Sequence, residues 1–392
     1  MKILSVNAGS SSLKFSMYEM PEEKVITTGV FERIGLEGSN YTFKINDEKH
    51  KKEMPVSNHE EAVKILVEEL INYNIIKSVN EIEGVGHRTV HGADKYSDSI
   101  VINDKVLNDI KSFIPLAPLH NPANITGIES FSHILPNVKM VAVFDTAYHQ
   151  TMDKVHYLYP VPYEWYEDYA VRKYGFHGTS HKYINGRIME ILNNKELKVI
   201  VCHIGNGASI SASIGGKCID TSMGFTPLPG VMMGTRTGDI DPSIIPYIMN
   251  TTGMTIDQVM DTLNKKSGLL GVSGISSDSR DICQGIIDGN ERCKIAQEMF
   301  VNRIVNYISM YNTELNTADV ICFTAGIGEN GIEVREQIMN KLGALNITLD
   351  KEANNIRGKE RIISTSDSKI QCYIVPTDEE LMIARDTYNL AK

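Results

Sequence analysis

The apolar positions of this chain follow two rhythms. Continuous runs of strand length occur at 2–6, 84–91, 138–144, 199–204, 209–214, 319–325 and 370–375. Stretches with apolar residues at helical spacing lie at 59–73, 181–193, 255–263, 291–315 and 333–342. A strand buried on both faces reads as an unbroken aliphatic run, whereas an amphipathic helix repeats every 3.6 residues. Their alternation predicts an α/β chain with buried sheets. The charged stretch 46–53 follows neither rhythm and predicts an exposed hairpin or loop.

One internal echo adds to this. Residues 3–17 read I-L-S-V-N-A-G-S-S-S-L-K-F-S-M and residues 201–214 read V-C-H-I-G-N-G-A-S-I-S-A-S-I. Each is an apolar strand, an Asn/Gly turn with serines, and a second strand. Two such hairpins about 200 residues apart predict a duplicated architecture with a cleft between two lobes. Turns of this composition are common, so coincidence is an equal alternative.

Composition narrows the classes. At roughly 150 residues per domain, 392 residues correspond to two or three domains. Apolar residues make up 42% and charged residues 22%, which is globular rather than disordered. The 39 Lys and Arg against 49 Asp and Glu leave a formal charge of −10. That sign argues against nucleic acid or an anionic membrane as partner, but not against a small anion in a local basic site. The six cysteines form no C-x-x-C pair and mostly sit in apolar runs, as expected of a reduced cytoplasmic protein. The apolar start is too short for a signal peptide, and no run is long enough to span a bilayer.

Three glycine-rich turns carry candidate chemistry. G-I-G-E-N-G at 326–331 matches G-x-G-x-x-G between a buried strand and an amphipathic helix. A dinucleotide fold places that fingerprint in its first βαβ unit. So late in the chain, it reads instead as a nucleotide-contacting turn of another α/β fold, or as a plain tight turn. H-I-G-N-G at 203–207 and G-T-R-T-G-D at 234–239 are two more such turns. Arg236, flanked by glycines, has little apolar surface to cover, so phosphate or carboxylate binding suits it better than packing.

Charges inside apolar runs supply the rest. In V-G-H-R-T-V-H-G at 85–92, period-2 alternation places Arg88 and Val90 on one face and His87, Thr89 and His91 on the other. An Arg beside an aliphatic side chain fits a small acid with a short tail, though it could equally pair with a structural carboxylate. Asp145 ends the strand 138–144, where ligands bind in open α/β sheets and phosphoryl transfer needs a carboxylate. It could also simply cap the following turn. In Y-G-F-H-G-T-S-H at 174–181, Gly178 and a helix cap at Thr179 or Ser180 separate His177 from His181. A zinc pair is thereby disfavoured, and His177 is better suited to donate to a phosphoryl group. Thr377 and Glu380 predict a capping box, which leaves Glu379 free to hold a metal.

Taken together, N-A-G-S-S-S-L-K at 7–14, H-R-T-V-H-G, F-D-T-A-Y-H, Y-G-F-H-G-T-S-H, H-I-G-N-G, G-T-R-T-G-D-I-D-P and G-I-G-E-N closely resemble the acetate kinase family, in the family's order and over essentially the whole chain. One departure is Ala93, where the family usually has a second glycine. The resemblance implies the duplicated sugar-kinase/heat-shock/actin-like (ribonuclease H-like) fold. Its lobes would be 1–148 plus about 381–392, and a nucleotide-binding lobe over 149–380. It implies reversible transfer of the ATP γ-phosphoryl group to acetate, giving acetyl phosphate and ADP, with Mg²⁺ (or Mn²⁺) and a homodimer.

By the same resemblance, Asn7 and Glu379 are the metal partners, and Asp145, His177 and Arg236 are catalytic. Arg88 takes the substrate carboxylate. Val90, Leu119, Phe176 and Pro227 form the pocket for the methyl group, with His120 beside it. The nucleotide contacts implied are Lys14; His203, Ile204, Gly205, Asn206 and Gly207; Asp278, Ser279 and Arg280; and Gly326, Ile327, Gly328, Glu329 and Asn330. Alternatives are a propionate or butyrate kinase, a non-catalytic nucleotide clamp of the actin type, and a sugar kinase using Asp145 as a base.

Overall fold

The computed structural model describes residues 1–392. The chain divides into two compact units, Met1–Gln150 with Asp378–Lys392, and Thr151–Thr377.

The first unit is built on eight strands: β1 (Lys2–Gly9), β2 (Ser12–Glu19), β3 (Lys24–Glu32), β4 (Asn40–Ile45), β5 (Glu48–Glu53), β6 (Ile82–Thr89), β7 (Ile100–Val101) and β8 (Lys139–Phe144). Their order in the sheet is β5-β4-β3-β2-β1-β6-β8-β7. β1 to β5 form an antiparallel meander, and β6 and β8 extend it parallel to β1. The charged stretch is the turn and second strand of the β4–β5 hairpin. Its turn residues Asn46 and Asp47 take the left-handed conformation that a two-residue turn requires. Lys and Glu along β5 keep this edge strand from pairing with another chain.

Each face of the sheet has its own cover. Val85 lies in the core that also holds Phe131, and the His87 ring meets Phe131 edge-on, on the side of the helices His59–Asn72 and Asn121–Ile134. Gly84 and Gly86 face the helix Glu379–Ala391 instead. A Cβ at Gly86 would come within 2.1 Å of Thr387 Oγ1 and 2.5 Å of Ile383 Cγ2, so this helix packs directly on the β6 backbone. Arg88 shares the parity of Gly84 and Gly86 and therefore belongs to the face covered by that helix.

The second unit holds β9 (Lys198–Ile204), β10 (Ala208–Ile214), β11 (Lys217–Thr221), β12 (Val320–Thr324), β13 (Arg361–Ile362) and β14 (Gln371–Ile374), in the order β11-β10-β9-β12-β14-β13. Its first five strands repeat β3-β2-β1-β6-β8 of the first unit: two antiparallel neighbours on one side of the founding strand and two parallel ones on the other. The echoing segments are the founding hairpins β1–β2 and β9–β10. This is the duplicated ribonuclease H-like arrangement of sugar kinases, heat-shock ATPases and actin.

Two local readings need correction. The helix Gly178–Ile191 is capped by His177 in a left-handed conformation, so Thr179 and Ser180 are already helical. The helix Glu379–Ala391 is capped by Asp378, whose carboxylate accepts from the Leu381 N–H at 2.8 Å. Thr377 and Glu380 therefore form no capping box. Thr377 Oγ1 instead meets Ser180 Oγ at 2.8 Å, and Glu380 pairs with Lys14. No helix is long and apolar enough to cross a membrane.

Candidate active site

In the first unit, the chemistry gathers at the C-terminal ends of β1, β6 and β8. Asp145 follows β8, and its N–H donates to the Thr89 carbonyl at 3.0 Å, which fixes it beside the end of β6. The Arg88 guanidinium grips it: Nε lies 3.2 Å from both carboxylate oxygens and Nη2 lies 2.7 Å from Oδ2. Asp145 is buried while the Arg88 side chain keeps 26% of its exposure, so the fork has solvent-facing N–H groups to spare. This charge partner holds the Arg88 pKa above the ordinary value.

The same strand ends are locked from the helix Asn121–Ile134. Asn124 Oδ1 accepts from the Val90 N–H at 3.0 Å and its Nδ2 donates to the Ala8 carbonyl at 3.1 Å. Asn121 Oδ1 accepts from the His91 N–H at 3.2 Å. Sequence reasoning missed both asparagines. Their only signal was a polar residue on the buried side of an amphipathic helix, which spacing alone does not set apart.

Glu379 opens the helix that covers this face. Burial, followed by the Asp145 and Glu380 charges, raises its carboxyl to about 7, against the lowering effect of Arg88 and Lys14. Asn7 on β1 stands directly opposite Lys14 on β2. Lys14 pairs with Glu380 at 2.5 Å, which brings the start of this helix to the same hairpin. The Glu379 carboxyl and the Asn7 amide oxygen are hard oxygen donors of the kind that suits a divalent cation.

In the second unit, His177, His203 and Arg236 converge on the β9–β10 turn. The His177 and His203 rings stack with centroids 4.2 Å apart. His177 Nδ1 is 2.9 Å from Ser209 Oγ, and His203 Nδ1 is 2.8 Å from Ser180 Oγ. His181 turns to Ser209 and Ser211 at 2.8 Å each, so it shares a serine with His177 rather than a metal. A Cβ at Gly207 would lie 3.0 Å from Arg236 Nη2 and 3.4 Å from His177 Nε2. Both nitrogens thus face one bare stretch of backbone. Arg236 is half-buried, donates to the Pro227 carbonyl at 2.9 Å, and has no carboxylate partner. Burial alone lowers its pKa. A guanidinium in this state favours an anionic ligand.

A cavity of about 720 Å³ opens beside this turn, within the second unit. Gly205 and Asn206, the segment 277–280, and residues 326–327 and 330–331 line it. Of the nucleotide contacts expected in this unit, Gly205, Asn206, Asp278, Ser279, Arg280, Gly326, Ile327 and Asn330 lie on its wall. His203, Ile204, Gly207, Gly328 and Glu329 do not. Glu329 serves the backbone: its Oε1 accepts from the Ala325 N–H at 2.8 Å and the Thr377 N–H at 3.1 Å. That brace holds Ala325 at φ 63°, a left-handed turn out of β12 that a residue with a Cβ adopts only under constraint. Arg280 folds onto Asp278, whose carboxylate it lowers to about 2. Cys283, Gln284 and Glu333 also line the cavity and were missed, because helix residues carry no turn signature; Arg357, in a loop with no glycine-rich motif before it, was missed too.

The residues expected at the methyl pocket are divided between the units. Val90 and Phe176 are buried, Pro227 is half-buried, and Leu119 is 73% exposed with His120 exposed beside it.

Residues 2–385 match the model of the acetokinase family. An acetate kinase of Bacillus subtilis is 55% identical over 393 residues, with all of both chains covered. A crystal structure of Porphyromonas gingivalis acetate kinase superposes with a TM-score of 0.96 at 44% identity, again over all of both chains. A propionate kinase structure from Francisella tularensis gives 0.94 at 41% identity, with 99% of each chain covered.

Proposed function

Because the chain belongs to the acetokinase family, we infer how its own residues carry the transfer of a phosphoryl group to the carboxylate of acetate. The donor is ATP and the products are acetyl phosphate and ADP, in a reversible reaction. An acetate oxygen forms a bond to the γ-phosphorus as the bond to the ADP oxygen breaks. With a carboxyl pKa near roughly 4, acetate is already ionised at neutral pH and needs no base. The obstacle is an anion approaching a polyanion, so the protein's work is charge neutralisation and positioning.

Arg88, oriented by Asp145, holds the acetate carboxylate, and Val90, Leu119, Phe176 and Pro227 accept its methyl group, with His120 alongside. Arg236 and His177 donate to the equatorial oxygens of the transferring group. The turn 203–207, the short helical segment 326–330, the segment 278–280 and Lys14 hold the nucleotide. Asn7 and Glu379 hold the divalent cation, Mg²⁺ or Mn²⁺, which neutralises phosphate charge when bound. The observation that carries this reading is Arg236, without a counter-ion and beside His177 at Gly207. It is tested by trapping the acyl phosphate as a hydroxamate from ATP and acetate, with and without Mg²⁺. No hydroxamate above the acetate-free control would overturn the reading.

The likeness to a propionate kinase supports a second reading, in which a longer acid is preferred. One methylene in an apolar pocket is worth about 1–3 kcal/mol, so kcat/KM for acetate, propionate and butyrate decides it. A homodimer completes the proposal. The apolar helix Ile244–Thr252 buries none of its residues, and Tyr247 on it is 67% exposed, as suits a face covered by a second copy. Tyr247→Glu is expected to shift the sedimentation coefficient toward that of the monomer; an unchanged value would remove this helix from the interface.

A further inference from the structure

Arg335 heads the fully buried side chains of the molecule by volume, and it lies on the helix Ile332–Lys341. Its guanidinium is spent on neutral acceptors. Nη1 donates to the Gly328 carbonyl at 2.9 Å, Nε to the Asn354 side-chain oxygen at 2.8 Å, and Nη2 to the carbonyls of Asn354 and Ile356 at 2.9 Å each. No carboxylate pairs with it. Burial lowers its pKa to about 10, the Arg357 charge adds to this, and Glu333 opposes it.

The acceptors belong to two segments that meet at one wall of the cavity. Gly328 is part of the short helix Ala325–Asn330, formed where the sequence predicted a turn, which contributes Gly326, Ile327 and Asn330, and Ile356 precedes Arg357 on the same wall. Secondary ties run in parallel: Arg357 Nη1 donates to the Asn330 carbonyl and the Gly358 N–H to the Glu329 carbonyl. A buried charge hydrogen-bonded only to neutral acceptors is costly, and an apolar side chain of similar volume could fill the space without that cost. The charge therefore calls for an anion that the protein itself does not supply.

We propose that Arg335 is a positioning residue of this cavity: its fork sets the two wall segments, and its unpaired charge is compensated by the polyphosphate of the bound nucleotide. The proposal rests on reading the cavity as the nucleotide site. A purely structural clamp would favour adenosine and ADP alike, whereas a compensated charge favours the ligand that carries phosphates.

The test is calorimetric titration of the full-length protein with ADP and with adenosine. Arg335→Gln is expected to weaken ADP by about tenfold more than adenosine, while Arg335→Lys, which keeps the charge, retains most of the wild-type preference for ADP. Acetate KM at saturating nucleotide is expected to move by less than about twofold. Equal weakening of both ligands, or no weakening of ADP, overturns the proposal. Ser277→Trp, which fills the cavity, separates the two levels. If ADP still binds that variant, the cavity is not the nucleotide site and both readings fall. If ADP binding is lost there yet untouched in Arg335→Gln, the Arg335 proposal falls alone. Should Arg335→Gln not fold, hydrogen exchange on the wild-type protein decides. ADP is expected to protect 325–331 and 354–358 together and more strongly than adenosine, and equal protection by adenosine overturns the proposal.

Discussion

Arg88 and Arg236 show how differently two guanidinium groups can be prepared for anions. Arg88 is anchored by a buried carboxylate and presents what remains of its fork, whereas Arg236 is held by one carbonyl and has no counter-ion. Replacing either with Ala is expected to lower kcat/KM on the order of 10³-fold, measured by the hydroxamate assay, with Arg88→Ala raising the acetate KM. Lys at either position lacks the bidentate fork and is expected to recover little of the loss. Asp145→Asn tests whether Asp145 orients or removes a proton. An orienting Asp145 predicts a raised acetate KM and an altered Mg²⁺ requirement with every limb of the pH–rate profile retained. A lost limb with an unchanged Mg²⁺ requirement would make it a base. Arg88 and Asp145 were legible in the sequence because a charge in or at the end of an apolar run is conspicuous, and Arg236 because glycines flank it. Asn121 and Asn124 were not, because an amide facing strand ends looks like any other polar residue of a helix.

Among the elements, the buried strands were legible to within three residues, since burial on both faces writes an unbroken apolar run. The antiparallel strands β3 and β4 were not, because partly exposed strands carry mixed residues. The caps at His177 and Asp378 escaped for a related reason: the usual capping residues stood nearby and the chain used others. The contact between β6 and the helix Glu379–Ala391 gives this scale its prediction. Gly86→Ala forces a methyl group into Thr387 and Ile383. Overpacking of this kind costs about 1–3 kcal/mol, to be read from urea denaturation. The displaced helix carries Glu379, so a weaker apparent Mg²⁺ affinity is expected alongside. Destabilisation with unchanged Mg²⁺ dependence would uncouple the helix from the metal.

For the whole molecule, the echo between the two hairpins was the one long-range feature the sequence displayed, and the repeated strand order is its outcome. Which helix covers which face was invisible, because it depends on contacts between segments hundreds of residues apart. Global stability should carry the mark of two histidines buried in the first unit, His87 on β6 and His91 just after it. Burial lowers His87 to about 3 and His91 to about 4. Below an unfolded-state pKa of about 6.5, the unfolded chain binds more protons at these sites, so stability is lost as pH falls from there toward the folded values. His87→Leu, which removes one such site, is expected to lose less unfolding free energy between pH 7 and pH 4.5 than the wild type, by urea titration at each pH. An equal loss would clear His87 of the acid sensitivity.

The helix Glu379–Ala391 lies at the far end of the chain from the sheet it completes. During synthesis, β1 to β8 leave the ribosome before this helix, yet the face of β6 bearing Gly84, Gly86 and Arg88 has no cover until residues 379–391 follow. The interior unit, with all of its strands already translated, is free to mature earlier. Birth order and folding order are thereby inverted: the unit whose strands are translated first is completed after the unit translated between its two segments, and Glu379 arrives only with that closing helix.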